Sequence, residues 1–275
     1  MPDEVKTEQV IVYDLLASSP GKRIWYYEDF QPRVDANCAN VAARFKPVSE
    51  PRRPLALVGF GPSLCEEWLG IAGFEDIWTV SGAHDYLLSK NIVPTYHTDV
   101  EWRDHKIKFI KKLHPEIHYI LASTIAENYI ERFTTEQITL FHVEQHPDSV
   151  TYPEGEYIVS ADWDVTQMVI HLAVAMGYTE IHLFGVDYCY QLSSGKVAAT
   201  EHFGIPKENL YMQIHDRIYL SSKDMVEGCQ SIPHVMKKYP HVTFAIHGPG
   251  MLRDYLQEII AGEYKPYDPN DLERV

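Results

Sequence analysis

Short apolar segments alternate with helical patterns along most of the chain. The apolar segments cover residues 55–59, 76–80, 95–98, 118–122, 138–143, 180–184 and 242–246. The helical patterns cover residues 65–72, 83–90, 104–113, 125–133, 165–176, 209–226, 228–238 and 251–261. Short strands that alternate with helices need crossover connections, and these connections make neighbouring strands parallel. The alternation predicts an α/β protein with a Rossmann-like three-layer fold and a mostly parallel sheet.

The pattern divides the chain into three parts. Residues 1–54 form an N-terminal extension that ends in the connector-like KPVSEPRRP, and residues 55–262 form the Rossmann-like domain. A polar loop over residues 188–208 is longer than an ordinary connection and is typical of a lid, so the domain ends in a helical and lid region. Residues 263–275 are a polar, proline-containing tail.

Composition excludes several classes of protein. The formal charge of -15, from 24 basic and 39 acidic residues, opposes sequence-neutral binding to nucleic acid and attraction to anionic membranes. The four cysteines form no CxxC pair and have no zinc-like spacing. Apolar runs stay below the roughly 20 residues of a membrane span, and the N-terminus resembles no signal or transit peptide. We therefore expect a cytoplasmic protein.

The segment LALVGFGPSL, residues 55–64, joins an apolar strand to a glycine turn and an amphipathic helix. Gly59 and Gly61 allow a sharp turn and a close approach of a ligand, Pro62 suits a first helical position, and Ser63 can donate a hydrogen bond. The third glycine of GxGxxG and the lysine of a phosphate loop are missing, so neither an NAD enzyme nor a P-loop kinase is indicated. The segment predicts a site for a phosphorylated ligand, with an unliganded strand-to-helix turn as the alternative.

Polar residues follow two further strands of the predicted sheet. Asp99 can hold a ribose hydroxyl or a divalent cation, and Arg103 can neutralise a phosphate. A solvated loop that caps the next helix is the alternative for both. Ser81 follows the preceding strand, where it contacts a ligand or caps a helix. Because the carboxyl ends of parallel strands meet at one edge, we expect these side chains to border one site.

A second group of candidates lies later in the chain. Asp164 and Thr166 begin a strongly apolar helix, whose N-terminal amides favour an anion. Asp164 is itself a candidate N-cap, in which case this helix start binds ribose or metal instead. Asp187 directly follows the strand of LFGVDYCY and lies at the expected ligand edge.

Histidine is the expected general base because it titrates near neutrality. His202 is the preferred candidate since it lies in the predicted lid, and His215 is its competitor. For either residue the alternative is a surface histidine. His171 lies in an apolar helix and is interpreted as a packed core residue.

Four of these segments together resemble a known family. GFGPSL, SGAHDYLLSKNIVP, an aspartate at the end of the next strand, and AMGYTEIHLFGVDYCY are similar to the MptE-like 6-hydroxymethylpterin diphosphokinase family. Relatives of that family include motility-accessory glycosyltransferases and, more remotely, bacterial sialyltransferases with a GPSL turn. The resemblance covers residues 55–190. It implies transfer of either a sugar from a nucleotide donor or a diphosphate from ATP.

The resemblance also implies roles for individual residues. Gly59, Gly61, Pro62 and Ser63 would hold the phosphates of the donor, and Asp187 would line the same cleft. Asp99 matches the acidic residue after the third strand of the family, and His202 would stand in for the lid histidine that acts as a base in the sialyltransferase relatives.

One segment departs from the pattern of those relatives. In the sialyltransferases a helix start that contains glycine contributes to the donor site, whereas this chain has Asp164, Val165 and Thr166 in its place. The departure argues against a CMP-sialic acid donor.

Three functional hypotheses follow. A glycosyltransferase would use a UDP- or CMP-linked sugar donor, with His202 or Asp99 activating an acceptor hydroxyl. A diphosphokinase would use ATP with Mg²⁺, held by Asp99 together with Asp187 or Asp164, and a hydroxymethyl acceptor such as a pterin. A non-catalytic nucleotide-binding protein is the third. The acceptor could be a small molecule, a glycan, a protein or a modified base, and the chain could form a homo-oligomer.

Overall fold

A computed structural model describes residues 12–15, 29–103, 110–145, 149–190 and 210–261. The strands in these residues are β1 Val12–Asp14, β2 Leu55–Val58, β3 Asp76–Val80, β4 Tyr96–Asp99, β5 His118–Ala122, β6 Ile138–Val143, β7 Ile158–Val159, β8 Glu180–Phe184, β9 Leu210–Ile214, β10 Arg217–Ser221 and β11 Thr243–Ile246. The helices are α1 Gln31–Asn40, α2 Leu64–Ile71, α3 Ala83–Ser89, α4 Glu127–Ile130, α5 Val165–Ala175, α6 Lys223–Lys238 and α7 Met251–Ala261, with a 3-10 turn at Thr135–Gln137.

Eight strands form one sheet in the order β11-β8-β2-β3-β4-β5-β6-β7, and every pair in it is parallel. All four residues of β2 are buried, as expected for a central strand that is covered on both faces. Leu55 and Leu57 pack in the core shared with α5, α6 and α7. Ala56 and Val58 pack in the core shared with α2 and α3. The predicted α/β fold, with a parallel sheet between two helical layers, is confirmed.

The strand order reverses between β2 and β8. From β2 the chain adds strands in one direction as far as β7, and then returns through α5 to place β8 on the other side of β2. The loops that follow β2 and β8 therefore leave in opposite directions at the carboxyl edge of the sheet. In open α/β sheets this switch point is where ligands bind.

The helix predicted over residues 209–226 is wrong. Residues 210–221 form the antiparallel hairpin β9–β10, and β1 pairs with β9 to complete a second, three-stranded sheet. The physical reason is a period of two: Met212 and Ile214 are buried, whereas Gln213 between them is exposed. Helix α6 begins only after Ser222, whose hydroxyl accepts the Met225 amide as an N-cap.

Other elements differ in extent from their predictions. Helix α4 is much shorter than predicted, and residues 110–113, the described part of the helix predicted over 104–113, are not helical. The N-terminal extension contains α1 and contributes Phe30, Val34 and Phe45 to the interior. The tail over 263–275 and most of the predicted lid, residues 191–208, lie outside the described residues.

Candidate functional site

The glycine turn after β2 is bonded directly to the loop after β8. The Gly59 amide donates to the Phe184 carbonyl at 2.8 Å, and the Gly61 amide donates to the Gly185 carbonyl at 2.7 Å. The Asp187 carboxylate then accepts two hydrogen bonds from Ser63, one from its amide at 2.7 Å and one from its hydroxyl at 2.5 Å. The structure thus brings the predicted glycine turn and Asp187 together at the switch point.

The two glycines are required by packing between these loops. A Cβ atom on Gly59 would lie 2.6 Å from the Gly185 carbonyl oxygen, and one on Gly61 would lie 2.5 Å from an Asp187 carboxylate oxygen. Gly185 itself has a φ of +61°, which favours glycine. A side chain at either glycine would therefore project toward β8 and its loop. A ligand contact at these glycines stays a prediction.

The start of α2 already holds an anion of the protein itself. Asp187 accepts the Ser63 amide, and the next two amides, of Leu64 and Cys65, donate to the carbonyls of Gly61 and Pro62 at 3.2 Å each. Burial raises the pKa of Asp187 to about 6, although its bonds from Ser63 act in the opposite direction. The carboxylate lies where the sequence predicts a phosphate.

A third loop closes this corner, and its role was missed from the sequence. The HGPG turn after β11 contains Gly250, where a Cβ would lie 2.9 Å from the Asp187 Cα, and Gly248, where a Cβ would lie 2.8 Å from the Ser63 hydroxyl. The Leu252 amide donates to the Asp187 carbonyl at 3.3 Å. The sequence feature that could have revealed this role is the presence of two glycines in a four-residue turn directly after a strand.

Asp164 and Thr166 lie at the start of α5. This helix start is next to Tyr188, the residue that follows Asp187. Asp164 is the N-cap, as predicted, since its carboxylate accepts the Gln167 amide at 3.0 Å. Its second oxygen accepts the Tyr188 hydroxyl at 2.5 Å. Thr166 is buried in the first turn. Tyr188 has a φ of +54°, a conformation that is uncommon for a residue with a side chain and is enriched at functional sites.

Tyr188 and its supports were not identified from the sequence. Gln167 donates from its side-chain amide to Ser231 at 2.7 Å and to the Gly228 carbonyl at 3.0 Å. A Cβ on Gly228 would lie 2.6 Å from the Tyr188 ring. The sequence feature that could have revealed this contact is Gly228, because a glycine inside a helix often marks a close approach of another part of the chain.

Ser81 lies at the end of β3, next to the glycine turn. It has a φ of +51°. The following residue, Gly82, packs so closely under the Phe60 ring that a Cβ would overlap it. The loop after β3 therefore borders the same corner, on the side opposite β8.

Asp99 and Arg103 lie farther along the edge. Asp99 is buried and accepts the amides of Val100 at 2.7 Å and Glu101 at 3.0 Å, together with the Tyr129 hydroxyl at 3.2 Å. Burial raises its pKa. Arg103 is bound by the Glu101 carboxylate through two bonds of 2.7 and 3.0 Å, so its charge is already balanced.

The structure does not bring Asp99 and Asp187 together. Strands β4 and β8 are three positions apart in the sheet, a separation of roughly 14 Å at the usual strand spacing. Two ligands of one Mg²⁺ each lie about 2.1 Å from the ion. Within the described residues, no three acidic, histidine or cysteine side chains form a group that could hold a metal ion. Asp99 and Asp187 are hydrogen-bonded to different loops, and a single ion held by this pair stays a prediction.

The candidate histidines fall in different places. His202 lies outside the described residues. His215 is exposed at the tip of the β9–β10 hairpin, 2.7 Å from Glu258. His171 is buried, as predicted, and is bonded to Asp162 and to the Tyr239 hydroxyl.

A serine, a histidine and a glutamate also form a row at the edge. The Ser123 hydroxyl lies 2.8 Å from Nδ1 of His142, and the other ring nitrogen of His142 is bonded to Glu156. Ser123 is 0% exposed, so its hydroxyl cannot reach a substrate in this conformation. The row is a buried polar network rather than a nucleophile with its base.

Comparisons with known proteins agree with this architecture. The MAf glycosyltransferase from Magnetospirillum magneticum AMB-1 superposes with a TM-score of 0.61 at 16% identity, over 87% of this chain and 42% of that one. This chain thus spans less than half of that protein, and at this identity the likeness shows a shared fold.

More distant matches include two structures of a mammalian sialyltransferase, with TM-scores of 0.44 and 0.45 at 12% and 13% identity, over 81% and 82% of this chain and 80% and 82% of those. No curated protein sequence matches. None of the helices in the described part of the chain combines the length and apolar character that a bilayer span requires. The profile of one family, described as 6-hydroxymethylpterin diphosphokinase MptE-like, matches residues 30–192, more than half of the sequence, and the chain therefore belongs to the MptE-like family.

Proposed function

We propose that this protein is a nucleotide-dependent transferase that moves a sugar from a nucleotide-sugar donor to an acceptor hydroxyl. The observation that carries the proposal is the convergence of three glycine-containing loops, after β2, β8 and β11, at the switch point of a parallel sheet. The same corner is bordered by Ser81 and Tyr188, two residues with left-handed backbone. The fold shared with a glycosyltransferase supports this choice.

The arrangement of the carboxylates favours sugar transfer over diphosphate transfer. Transfer from ATP uses Mg²⁺ that bridges the phosphates and is held by clustered oxygen ligands. In the described residues Asp99, Asp164 and Asp187 have different partners, and each is committed to hydrogen bonds within its own part of the edge. A magnesium-dependent diphosphokinase remains the second candidate because the matched family is described by that activity.

In the proposed reaction the acceptor oxygen bonds to the anomeric carbon as the bond from that carbon to the phosphate oxygen breaks. The acceptor proton passes to a base, and the electron pair leaves with the nucleotide. His202 and Asp99 are the candidate bases. The raised pKa of Asp99 makes it a stronger base than an exposed carboxylate.

The donor would be UDP- or CMP-linked, and the acceptor a small molecule, a glycan or a modified base. The charge of -15 disfavours a base within nucleic acid. We also expect a cytoplasmic location and a possible homo-oligomer.

The test is a transfer and hydrolysis assay with UDP-, CMP- and GDP-linked sugars and with ATP, each with Mg²⁺ and with EDTA. We expect release of a nucleotide from one sugar donor, undiminished by EDTA. Turnover of ATP alone, and only with Mg²⁺, would establish the diphosphokinase instead. Donor binding without any turnover would indicate a non-catalytic nucleotide-binding protein.

Two variants identify the base. His202→Ala and Asp99→Asn are compared, with the exposed His241→Ala as the matched control. Loss of the base lowers turnover by about 100-fold or more. If both variants keep normal turnover, neither residue is the base.

A further inference from the structure

The start of α2 is occupied by a carboxylate that comes from another loop. Helix N-termini attract anions because their amides point outward and the helix dipole is positive there. In this protein Asp187 takes that position through its two bonds from Ser63, a residue 124 positions away in the chain. A phosphate that entered the same position would have to displace it.

Asp187 is held from three sides. Gly61 lies against its carboxylate and leaves no room for a Cβ. A Cβ on Gly250 would lie 2.9 Å from the Asp187 Cα and 3.0 Å from the Asp187 Cβ. Its carbonyl accepts the Leu252 amide at the start of α7. Rotation of the side chain out of this position would break both bonds from Ser63. The carboxylate is therefore a fixed part of the corner.

The charge of Asp187 acts on anything that binds beside it. Its pKa of about 6 leaves the carboxylate ionised at neutral pH, and Glu67 on α2 adds a second negative charge nearby. Like charges in close proximity repel under the effective dielectric of a protein surface. A phosphate is consequently disfavoured at the start of α2, whereas an uncharged group is not.

We propose that Asp187 is a specificity-determining residue that excludes phosphate from the start of α2, so that a nucleotide contacts the glycine turn through its uncharged groups. The inference rests on the proposed function, because it concerns how the nucleotide donor is oriented. It reverses the orientation that the resemblance implies, in which residues 59–63 hold the phosphates of the donor.

The experiment compares charged and neutral ligands. Dissociation constants are measured by calorimetry at pH 7.5 for uridine, cytidine, guanosine and adenosine, each paired with its diphosphate-linked glucose. The quantity of interest is the ratio of the constant for the nucleotide-sugar to that for the nucleoside. We expect this ratio to fall about tenfold in Asp187→Asn, because the charge that excludes the phosphates from the start of α2 has been removed.

Two further variants keep the test decisive. Ser63→Ala removes one hydrogen bond but keeps the charge, so the ratio should stay unchanged. Glu67→Gln removes the neighbouring charge and leaves Asp187 in place, so it provides the test if Asp187→Asn does not fold. It should lower the ratio about two- to threefold.

If the ligands bind but the ratio is unchanged or higher in both Asp187→Asn and Glu67→Gln, the inference is wrong and the proposed function is unaffected. Binding of none of these ligands to the wild-type protein would overturn the proposed nucleotide donor, and the inference with it.

Discussion

The burial of Asp187 makes its contribution to the stability of this protein depend on pH in an unusual direction. Burial raises the pKa of Asp187 from 3.8 to about 6, so the folded protein binds the proton of this group more tightly than the unfolded chain. The contribution of Asp187 to the free energy of unfolding therefore falls as pH rises from about 4 to above 6. Carboxylates in ion pairs have the opposite effect, since their folded pKa is lowered.

The magnitude follows from the pKa difference. A shift of about 2 units corresponds to about 3 kcal/mol in total, at about 1.4 kcal/mol per unit. About 2 kcal/mol of this falls between pH 4.5 and 7.5, because the unfolded carboxyl is already mostly ionised at the lower pH. In Asp187→Asn the amide resembles the protonated carboxyl and can still accept one bond from Ser63. This variant lacks the pH-dependent loss.

The assay is urea unfolding of wild type and Asp187→Asn at pH 4.5, 5.5, 6.5 and 7.5. The contributions of the other titrating groups cancel in the difference between the two free energies of unfolding. This difference should change by about 2 kcal/mol in favour of the variant as pH rises. Ser63→Ala serves as the control: it keeps the carboxylate and loses a bond that lowers its pKa, so it should retain or steepen the pH dependence. Parallel stability curves for wild type and Asp187→Asn would refute the reasoning.

Two further predictions concern the packing of the corner. Gly61→Ala should cost about 2–4 kcal/mol in urea unfolding, since its Cβ meets a backbone carbonyl and the Asp187 carboxylate. The control Gly73→Ala should be near neutral, because its Cβ would make only an ordinary contact of 3.8 Å with the Gly70 carbonyl oxygen. Equal effects would contradict the packing role. Tyr188→Phe should lower the free energy of unfolding by about 1–3 kcal/mol, because Asp164 loses a buried hydrogen bond. Tyr211→Phe on β9 is the control. An unchanged free energy of unfolding in Tyr188→Phe would show that the bond is dispensable.

Most of the parallel strands were predictable because they are short segments with several adjacent apolar residues, whereas the two-residue β7 was missed. The predictions for β3, β5, β6 and β8 match the observed bounds, and in each of these strands most residues are buried on both faces. The hairpin β9–β10 was missed because its half-buried alternation is interrupted by polar residues at the turn. Helix α1 was missed because only two of its residues are buried, so its apolar face is narrow.

The composition of the site was predictable in part. Gly59, Gly61 and Ser63 were expected to meet Asp187 at one edge. The structure brings Gly61 and Ser63 into direct contact with Asp187 and places Gly59 against Gly185. The direction of that contact was not predictable, because a single sequence does not show which side of a glycine turn faces the neighbouring loop. The part played by the HGPG turn depends on β11 pairing with β8, which is a long-range feature of the sheet.

The positions of the acidic residues along this edge bear on the choice between the two reactions. Mg²⁺ that bridges a diphosphate is bound by one or two carboxylates together with the phosphates. Two carboxylates can share such an ion when they lie on neighbouring loops, since adjacent strands are about 4.8 Å apart. The strand ends that flank the glycine turn carry Asp187 on one side and Ser81 on the other, and the turn itself contains no acid. Asp99 stands one strand beyond Ser81 and bonds to its own loop. These positions support the proposed sugar transfer, in which packing and neutral hydrogen bonds, rather than an ion, orient the donor.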